Sequence, residues 1–407
     1  MKATKESIEA LLEKFGSPLY VFNEQGFSEN YLHLLRAMRS RYENYRIAYS
    51  FKTNYTPYIC SAAKALGAYA EVVSGMEYRL AKQLGYQDKE IIFNGPDKGK
   101  DGITAFLHGC MINADSLEEL QAYCEEAKTY PEQNFRIGIR VNPAIGQNFV
   151  SRFGMDEEDL QTAFQHVSRV PNLKITGLHC HISRCRNLEA WRRRTEYMLG
   201  LADRFFEDIP EYLDLGSGMF GSMDPEFAAQ FDDVPSYEDY AAVTAGIAAE
   251  QFRGEDRPIL FTEPGTTLIN RFVECVTRVE SIKSIDGHFF AVLNASEHNL
   301  GEVCTLKRLP VRVISGGEPQ AVYDPIDLTG YTCLEQDVLL SGYRGALAKG
   351  DYVIFGNTGG YSTVLKPPFI RPDCAMITER PDGEYVLIKE AQSYEDVFRN
   401  YRFKDGK

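Results

Sequence analysis

Short apolar runs that alternate with segments of helical periodicity constrain the fold more than any other feature of this chain. Eight such runs recur between positions 46 and 262. Their length is typical of buried strands, and the segments between them carry helix caps and apolar residues three to four positions apart. Such an alternation predicts a parallel sheet. The predicted strands are Arg46–Phe51, Ala68–Val73, Glu90–Phe93, Cys110–Asn113, Phe135–Val141, Lys174–Cys180, Tyr212–Leu215 and Ile259–Thr262.

The number of these units predicts a closed barrel. Eight strand–helix units within about 220 residues match a TIM-like (β/α)8 barrel, which we place at residues 25–268. A doubly wound α/β sheet usually has fewer strands and is the alternative fold. The predicted helices include Pro57–Leu66, Gly75–Gln83, Ser116–Lys128, Asp156–Ser168 and Glu189–Phe206.

The chain after about residue 270 has a different pattern. Short β-like runs are separated by turn residues, and helical periodicity is scarce. We predict an antiparallel β-sandwich or β-barrel domain from residues 269–407 together with residues 1–24, of which Leu19–Phe22 is a candidate strand. The runs are Arg271–Ser281, His288–Leu293, Arg308–Ile314, Tyr352–Phe355 and Tyr385–Ile388.

The composition is that of an ordinary globular protein. Of the 407 residues, 44% are hydrophobic and 25% are charged, and the formal net charge is −14. A charge of this sign disfavours nucleic acid and anionic membranes as partners. No segment reaches the roughly 18 uninterrupted apolar residues of a membrane span. Because Met1–Glu6 also enters a helical pattern without the apolar stretch of a signal peptide, we expect a cytoplasmic protein.

The spacing of cysteines and histidines indicates neither a metal centre nor a disulfide framework. The nine cysteines are scattered without a Cys-x-x-Cys pair. Among the seven histidines, only His179-x-His181 has the spacing of metal ligands. We therefore predict no bound metal.

Polar residues lie at or just after the C-terminal end of each predicted strand. In a barrel, the C-terminal ends of the strands open onto one face, and active sites are built there. The shared placement of these residues is more specific than any one of them. In strand order they are Lys52; Glu71, Ser74 and Gly75; Asn94–Pro96; Asn113 and Asp115; Asn142 and Pro143; His181; Gly216–Gly218; and Glu263–Gly265.

Lys52 follows the first predicted strand and is a candidate reactive amine. An ammonium group that points into a fold is costly unless it is paired or its pKa is shifted. Proteins use such lysines to form Schiff bases with carbonyl compounds. For a lysine considered alone, a side chain that extends along the surface to solvent is the commoner explanation.

Two further features suggest the group with which such a lysine would react. The glycines of Gly216–Gly218 allow backbone N–H groups to approach a phosphate, and the loop after the seventh strand is a usual phosphate site in barrels. Glu263 is predicted to be a buried carboxylate, which needs a cationic partner such as a protonated pyridine nitrogen. A structural salt bridge is the alternative for Glu263. Amine, phosphate turn and carboxylate together specify pyridoxal phosphate.

The ordered motifs of the chain resemble those of the fold-type III pyridoxal-phosphate decarboxylases, the family of diaminopimelate and ornithine decarboxylases. The resemblance runs from about Gly16 to Phe398 and implies the architecture of alanine racemase and ornithine decarboxylase, a barrel with a C-terminal antiparallel β domain. The matching segments are Tyr49–Asn54, Glu71–Glu77, Asn113–Ser116, Arg140–Pro143, Arg152–Met155, Gly177–Ile182, Leu213–Gly218, Glu263–Gly265, Gly330-x-x-Cys333-x-x-x-Asp337, Asn357–Tyr361 and Ser393–Asp396.

The resemblance implies roles for individual residues. Lys52 would hold the cofactor as a Schiff base, His181 would lie against its ring, and Glu263 would pair with the ring nitrogen. Cys333 would donate a proton in the active site of the partner subunit, within a head-to-tail homodimer that shares its sites. Considered alone, a Cys beside acids is more often an inert thiol. The candidate cofactor-binding residues are Lys52, Glu71, His181, Arg184, Gly216, Ser217, Gly218, Glu263, Gly265, Thr266 and Tyr361.

Two positions near the phosphate site depart from the family pattern. The usual His-Ile-Gly-Ser is here His181-Ile182-Ser183-Arg184, and the usual Glu-Pro-Gly-Arg ends here in Thr266. We hypothesise an exchange in which Arg184 supplies the guanidinium that position 266 lacks, because arginine suits a bidentate phosphate contact. An Arg184 side chain that points to solvent is the alternative.

A third departure concerns the substrate. Family members that bind a distal amine usually place Asp or Glu directly after the catalytic Cys, and this chain has Leu334 there. Glu335 and Asp337 are the nearest acids and complete the candidate substrate residues. The absence of an acid at 334 and of an arginine at 266 disfavours diaminopimelate, free ornithine and free lysine as substrates.

We therefore predict a pyridoxal-phosphate-dependent decarboxylase of amino-acid metabolism. Its substrate would be a small molecule, an amino acid or a conjugate that carries a free α-amino-acid end. The first alternative is diaminopimelate decarboxylase, an enzyme of lysine biosynthesis, with altered substrate contacts. An amino-acid racemase fits the β-domain Cys motif less well. A non-catalytic homologue that binds the cofactor or a partner protein is the alternative from a different class, and the presence of both Lys52 and Cys333 disfavours it.

Overall fold

The structure of the chain, a computed structural model, describes residues 4–143, 145, 150–182, 184–301, 303–366, 368–380 and 382–404. The chain divides into two compact units. We call Ser28–Gly221 and Asp233–Thr267 the barrel unit. The sheet unit comprises Met1–Phe27, Ser222–Asp232 and Leu268–Lys407.

Seventeen β-strands lie within the described residues, and all eight predicted barrel strands are among them. In chain order they are β1 (Leu19–Phe22), β2 (Tyr45–Ser50), β3 (Tyr69–Val72), β4 (Ile91–Phe93), β5 (Met111–Ala114), β6 (Phe135–Val141), β7 (Leu173–Cys180), β8 (Tyr212–Asp214), β9 (Ile259–Thr262), β10 (Val273–Ile285), β11 (His288–Leu293), β12 (Val311–Ile314), β13 (Ala321–Thr329), β14 (Val338–Leu347), β15 (Tyr352–Phe355), β16 (Ala375–Glu379) and β17 (Tyr385–Lys389).

Fifteen α-helices lie within the same residues. None of them combines the length and the apolar character that crossing a membrane requires. They are α1 (Lys5–Phe15), α2 (Glu24–Arg39), α3 (Pro57–Ala65), α4 (Gly75–Gln83), α5 (Gly99–Leu107), α6 (Leu117–Lys128), α7 (Glu157–Val167), α8 (Leu188–Phe205), α9 (Pro225–Ala228), α10 (Tyr237–Val243), α11 (Ala245–Gln251), α12 (Thr266–Ile269), α13 (Glu297–Leu300), α14 (Val303–Leu306) and α15 (Tyr394–Phe398).

Strands β2 to β9 close into a barrel of parallel strands, which confirms the fold predicted from the alternating pattern. Each strand pairs with the next one along the chain, and β2 pairs with β9 to close the ring. In this register Ser50 of β2 lies opposite Glu71 of β3. The polar residues that follow the strands therefore meet at one end of the barrel.

A buried tyrosine fills the barrel interior between two glycines. Tyr212 of β8 is 2% exposed. A Cβ atom on Gly138 of β6 or Gly177 of β7 would collide with the Tyr212 side chain. The hydroxyl of Tyr212 donates to Oδ1 of Asn113 at 2.7 Å. Core packing thus fixes the orientation of a polar side chain that faces the site.

Serine caps start two of the barrel helices directly after their strands. The Ser74 hydroxyl accepts from the N–H of Glu77 at the start of α4, and Glu77 Oε2 in turn accepts from the N–H of Val73 at 2.7 Å. Ser116 accepts from the N–H of Glu119 in the same way at α6. These side chains satisfy backbone donors that a helix leaves without partners.

The sheet unit contains one nine-stranded sheet. Its order is β14-β13-β11-β10-β1-β16-β17, with β15 paired to both β10 and β12. Most neighbours are antiparallel, as predicted, although β1 pairs with β16, and β11 with β13, in parallel. Ile8 and Leu11 of α1 belong to the apolar cluster on this sheet. The predicted strand Leu19–Phe22 is β1, which lies between β10 and β16 and is thus a central strand of the sheet.

Candidate active site

Lys52 lies on a short turn at the end of β2 and is paired with a buried carboxylate. Its Nζ donates to Glu71 Oε2 at 2.5 Å and to Ser50 Oγ at 2.8 Å. The Ser50 hydroxyl also donates to Glu71 Oε2, at 2.6 Å. The Lys52 side chain is 31% exposed, whereas that of Glu71 is 1% exposed. The ammonium group is thus held at the barrel end and remains accessible to a small molecule.

Two asparagines connect Glu71 to Glu263 across the barrel end. Nδ2 of Asn94 lies 3.2 Å from Glu71 Oε1 and 2.5 Å from Glu263 Oε1. Asn113 Nδ2 donates to Asn94 Oδ1 at 2.8 Å. All four side chains are buried. The network fixes the carboxylate of Glu71 in β3 and that of Glu263, which follows β9.

Glu263 belongs to a buried cluster with His179 and Asp214. His179 Nε2 lies 3.2 Å from Glu263 Oε2. Burial acts to raise the pKa of Glu263, but His179 and Lys52 outweigh it, so the pKa lies below its ordinary value. Burial and the charge of Glu263 raise the pKa of Asp214 well above its ordinary value. Of the two carboxyl groups, Glu263 therefore carries the charge and Asp214 keeps its proton.

His181 follows β7 and faces the glycine turn. The N–H of Ser217 donates to His181 Nδ1 at 3.3 Å. Burial, reinforced by the charge of Lys52, holds the pKa of His181 well below its ordinary value. The imidazole is therefore neutral at physiological pH. A neutral aromatic ring is suited to packing against the ring of a bound cofactor.

The turn Gly216–Gly218 has the backbone geometry of an anion site. Gly216 and Gly218 have φ angles of 66° and 105°, and a Cβ atom on Gly216 would collide with the carbonyl oxygen of Cys180. The N–H of Gly216 donates to Asp214 Oδ1 at 2.8 Å. Within the described residues, the N–H groups of Gly218 and Met219 have no recorded acceptor. Adjacent backbone donors of this kind suit a phosphate group.

Two side chains of α8 support this turn, and neither was assigned a role from the sequence. Arg194 NH1 donates to the carbonyls of Leu215 and Ser217 at 2.9 and 2.7 Å. Trp191 Nε1 donates to the carbonyl of Gly218 at 3.1 Å. The available signal was helical spacing, because Arg194 falls on the apolar face of α8.

The residues after β9 surround the same end of the barrel. Gly265 is buried, and a Cβ atom there would collide with the Thr53 hydroxyl. Thr266, the residue in place of the usual arginine, is half-buried at the start of α12. The close approach of Gly265 to Thr53 keeps this chain segment against the turn that carries Lys52.

Arg184, the residue predicted to replace that arginine, is exposed. Its backbone has a φ of 66°, in the left-handed region. Within the described residues, no ion pair or hydrogen bond is recorded for its side chain. The other half of the predicted exchange is Thr266, and Ser183, which also departs from the family pattern, lies outside the described residues.

The candidate substrate loop, Gly330–Asp337, lies in the sheet unit. Cys333 and Glu335 are exposed and Leu334 is half-buried. Asp337 is buried, and its carboxylate accepts from the Thr332 hydroxyl at 2.6 Å and from the N–H of Glu297 at 2.8 Å. Both Asp337 oxygens are therefore occupied in shaping the loop.

Tyr361 also lies in the sheet unit, in the loop after β15. It is half-buried, with a φ of 59°. In the same loop the buried Ser362 hydroxyl donates to the Thr358 carbonyl at 2.5 Å. Tyr361 therefore sits on a backbone fixed by internal bonds.

The donor set of the barrel unit fits pyridoxal phosphate. Lys52 supplies an accessible amine, Glu263 supplies a buried charged carboxylate, and the turn at Gly218 supplies N–H groups without acceptors in the described residues. A closed barrel with this set at the C-terminal ends of its strands defines a class of pyridoxal-phosphate enzyme. Residues 30–270 match the model of the pyridoxal binding domain of pyridoxal-dependent decarboxylases, and the chain belongs to this family.

Curated relatives cover nearly the whole chain. Diaminopimelate decarboxylase of Aquifex aeolicus is 26% identical over 96% of this chain and 93% of its own length. The L-glutamyl-[BtrI acyl-carrier protein] decarboxylase of Niallia circulans is 25% identical over 98% of this chain and 96% of its own length. A crystal structure of diaminopimelate decarboxylase from M. jannaschii has the same fold, with a TM-score of 0.86 at 23% identity, over 97% of this chain and 94% of that one. The chain is a pyridoxal-phosphate-dependent decarboxylase.

Proposed function

We propose that the substrate is an amino-acid conjugate, or another amino acid without a free distal ammonium group, and that this enzyme removes its α-carboxylate. The observation that carries the proposal is Leu334, an apolar side chain in the position after Cys333 where amine-binding relatives place an acid. An acid there would pair with a distal ammonium, whereas leucine offers only apolar surface.

The neighbouring acids support the same proposal. Both carboxylate oxygens of Asp337 accept bonds from within the sheet unit, so it has little capacity left for a substrate cation. Glu335 is exposed, and a solvent-exposed ion pair contributes at most about 1 kcal/mol. Neither residue replaces the missing acid at position 334.

Among the relatives, one name points to a conjugate and several to a free amino acid. The relative from Niallia circulans is named for a glutamyl group attached to an acyl-carrier protein. Diaminopimelate decarboxylation is the second candidate function, because relatives of that name match over 96% of this chain. The two candidates differ in what the substrate carries at its distal end.

The barrel residues would hold and orient the reacting groups. When bound, pyridoxal phosphate supplies an electron sink for the electron pair left by the departing carboxylate. Lys52 would bind the cofactor's aldehyde, with Glu71 and Ser50 orienting the amine. Glu263 would supply the negative charge opposite the ring nitrogen, and neutral His181 would cover the ring.

We also propose that the active unit is a head-to-tail homodimer. In this arrangement Cys333 would deliver a proton to Cα in the site of the partner subunit. The exposure of Cys333 supports this role, because an exposed thiol can reach a second chain. The family resemblance is the second support.

A CO2-release screen tests the substrate. Purified enzyme would be incubated with diaminopimelate, ornithine, lysine and glutamate, each in both configurations at Cα. γ-Glutamyl thioesters and amides would be tested in the same way. We expect release from a conjugate that carries a free α-amino-acid end. Rapid release from diaminopimelate alone would replace the proposal with the second candidate.

A single substitution tests Leu334 directly. Leu334→Asp should increase kcat/KM for a substrate with a distal ammonium by about tenfold or more, because a partly desolvated charge pair is gained. Glu335→Gln is the matched control and should leave this selectivity unchanged. No change in selectivity with Leu334→Asp would place the substrate's distal end elsewhere.

A further inference from the structure

Arg194 is a fully buried cation without a carboxylate partner in the described part of the chain. Its relative exposure is 0%, and none of the ion pairs recorded there includes it. The guanidinium stacks on the Trp191 ring at 4.0 Å, and Nε has no hydrogen-bond partner among the residues that the structure describes. Burial lowers the pKa of the Arg194 guanidinium. A buried charge of this kind is expensive unless an opposite charge compensates it.

Each hydrogen bond of Arg194 ends on a carbonyl that surrounds the phosphate turn. Besides the bonds to Leu215 and Ser217, NH2 donates to the carbonyl of Ile182 at 3.3 Å. The Ser217 carbonyl and the Gly218 N–H belong to one peptide group. A cation on the carbonyl side polarises this group and makes its N–H a stronger donor. Through this peptide group, Arg194 therefore strengthens the Gly218 N–H as a donor to an anion bound at the turn.

The carbonyls of Gly218 and Met219 accept hydrogen bonds from side chains, whereas the Gly216 carbonyl accepts from the backbone N–H of Glu263. Trp191 binds the Gly218 carbonyl, and Arg186 and Thr267 bind the Met219 carbonyl at 2.8 and 2.9 Å. The N–H groups of Gly218 and Met219 consequently face away from these donors. This arrangement explains why two adjacent N–H groups remain without acceptors in the described residues.

A purely structural role accounts for the hydrogen bonds but not for the charge. Neutral donors such as the Trp191 indole hold turn carbonyls without burying a cation. The chain also has Thr266 where its family usually has an arginine. A cation beneath the turn would compensate for that loss if an anion occupies the other side of the turn.

We propose that Arg194 is the positioning residue that gives the Gly216–Gly218 turn its affinity for the cofactor's phosphate group. It acts through the peptide groups of the turn and does not touch the phosphate. The proposal rests on pyridoxal phosphate as cofactor and is independent of the substrate.

The test compares pyridoxal phosphate with pyridoxal, which lacks the phosphate. Cofactor-free enzyme would be titrated with each compound by absorbance, and the ratio of the two Kd values would be measured. Arg194→Met should reduce the preference for pyridoxal phosphate about 10- to 100-fold, the size of a charge-assisted interaction. The Kd for pyridoxal should change little. Arg194→Lys should restore part of the preference.

The same helix offers a matched control. Arg193→Met makes the same substitution one residue away, at an exposed position, and should keep the parent's ratio. Arg184→Met tests the competing assignment to Arg184. The proposal would be overturned if Arg184→Met lost the preference for pyridoxal phosphate while Arg194→Met kept it.

Two other outcomes would also overturn it. If Arg194→Met folds and keeps the parent's ratio of Kd values, the Arg194 charge does not contribute to phosphate binding. Equal weakening of pyridoxal and pyridoxal phosphate would show a general structural role. If Arg194→Met does not fold, Arg194→Gln keeps neutral donors to the carbonyls, and its ratio decides in the same way. Failure to release CO2 from any conjugate would affect the substrate proposal alone.

Discussion

At the scale of single residues, two neighbouring carboxyl groups have been driven to opposite protonation states. Glu263 is charged because His179 and Lys52 stabilise its anion, whereas burial next to that anion keeps Asp214 protonated. Opposed environments of this kind assign distinct tasks to chemically similar groups. Glu263 provides the charge of the site, and Asp214 holds the N–H of Gly216.

This difference predicts unequal effects of replacing each carboxyl group with an amide. Glu263→Gln should lower kcat by about 100-fold or more, the cost typical of losing a preorganised electrostatic contact. Asp214→Asn should lower it less than about tenfold, because a protonated carboxyl is replaced by another neutral group that can accept from Gly216. Steady-state CO2 release measures both, with the exposed Asp208→Asn as control. Equal losses would mean that Asp214 is also ionised.

Sequence position predicted part of the site at this scale. Lys52, Glu71, His181 and Glu263 could be singled out because each lies at or just after the C-terminal end of a strand, and the structure brings them to one end of the barrel. Their roles toward the cofactor stay predictions. Arg194 could not be found in this way, since a helix residue gains such a role only through tertiary packing. The exchange onto Arg184 also stays a prediction.

At the scale of elements, the start of α4 contains a titratable cap. Burial raises the pKa of Glu77 to about 7 from an ordinary value of 4.5, against the opposing effect of its bond to the Val73 N–H. The native state thus favours the protonated carboxyl. Its stability contribution is complete below pH 4.5 and is lost as the pH rises to about 7. The total loss is about 3 kcal/mol.

Glu77→Gln should remove this dependence, because an amide accepts the same bond without titrating. We expect the fall in Tm between about pH 5 and pH 8 to be smaller in the variant than in the parent. Glu118→Gln, an exposed acid at the start of α6, is the matched control. The same pH dependence in Glu77→Gln and the parent would assign the titration to another group.

Elements with a buried face were predictable, and elements without one were not. Strands β6, β9 and β11 match the predicted bounds, because their apolar residues are continuous or alternate. Strand β13 was missed because most of its residues are at least partly exposed and it contains Pro325.

At the scale of the whole molecule, the sheet unit joins distant parts of the chain. Strand β1 lies between β10 and β16, so both of its edges are paired by residues more than 250 positions further on. The sheet therefore cannot be completed until most of the chain is available. Recognising Leu19–Phe22 as a strand was possible, but its central place in the sheet could not be read from local pattern.

The proposed head-to-tail dimer with shared active sites predicts complementation between inactive chains. Lys52→Ala and Cys333→Ala should each be inactive alone, whereas co-expressed mixed dimers contain one intact site. We expect about a quarter of the parental activity in the mixture, because about half of the dimers are mixed and each has one of two sites. Each variant alone is the control. Isolated mixed dimers without activity would contradict the assignment of Cys333 to the partner's site.

The tyrosine that fills the barrel has a consequence for the evolutionary history of this lineage. Tyr212 occupies the space that a side chain at Gly138 or Gly177 would need. Neither glycine can be replaced while the ring is present, and a smaller residue at 212 leaves a cavity until a neighbour grows into it. Whether a substitution at one of these three positions is tolerated therefore depends on which of the other two has already changed. Descendants that differ at one of them are expected to differ at another.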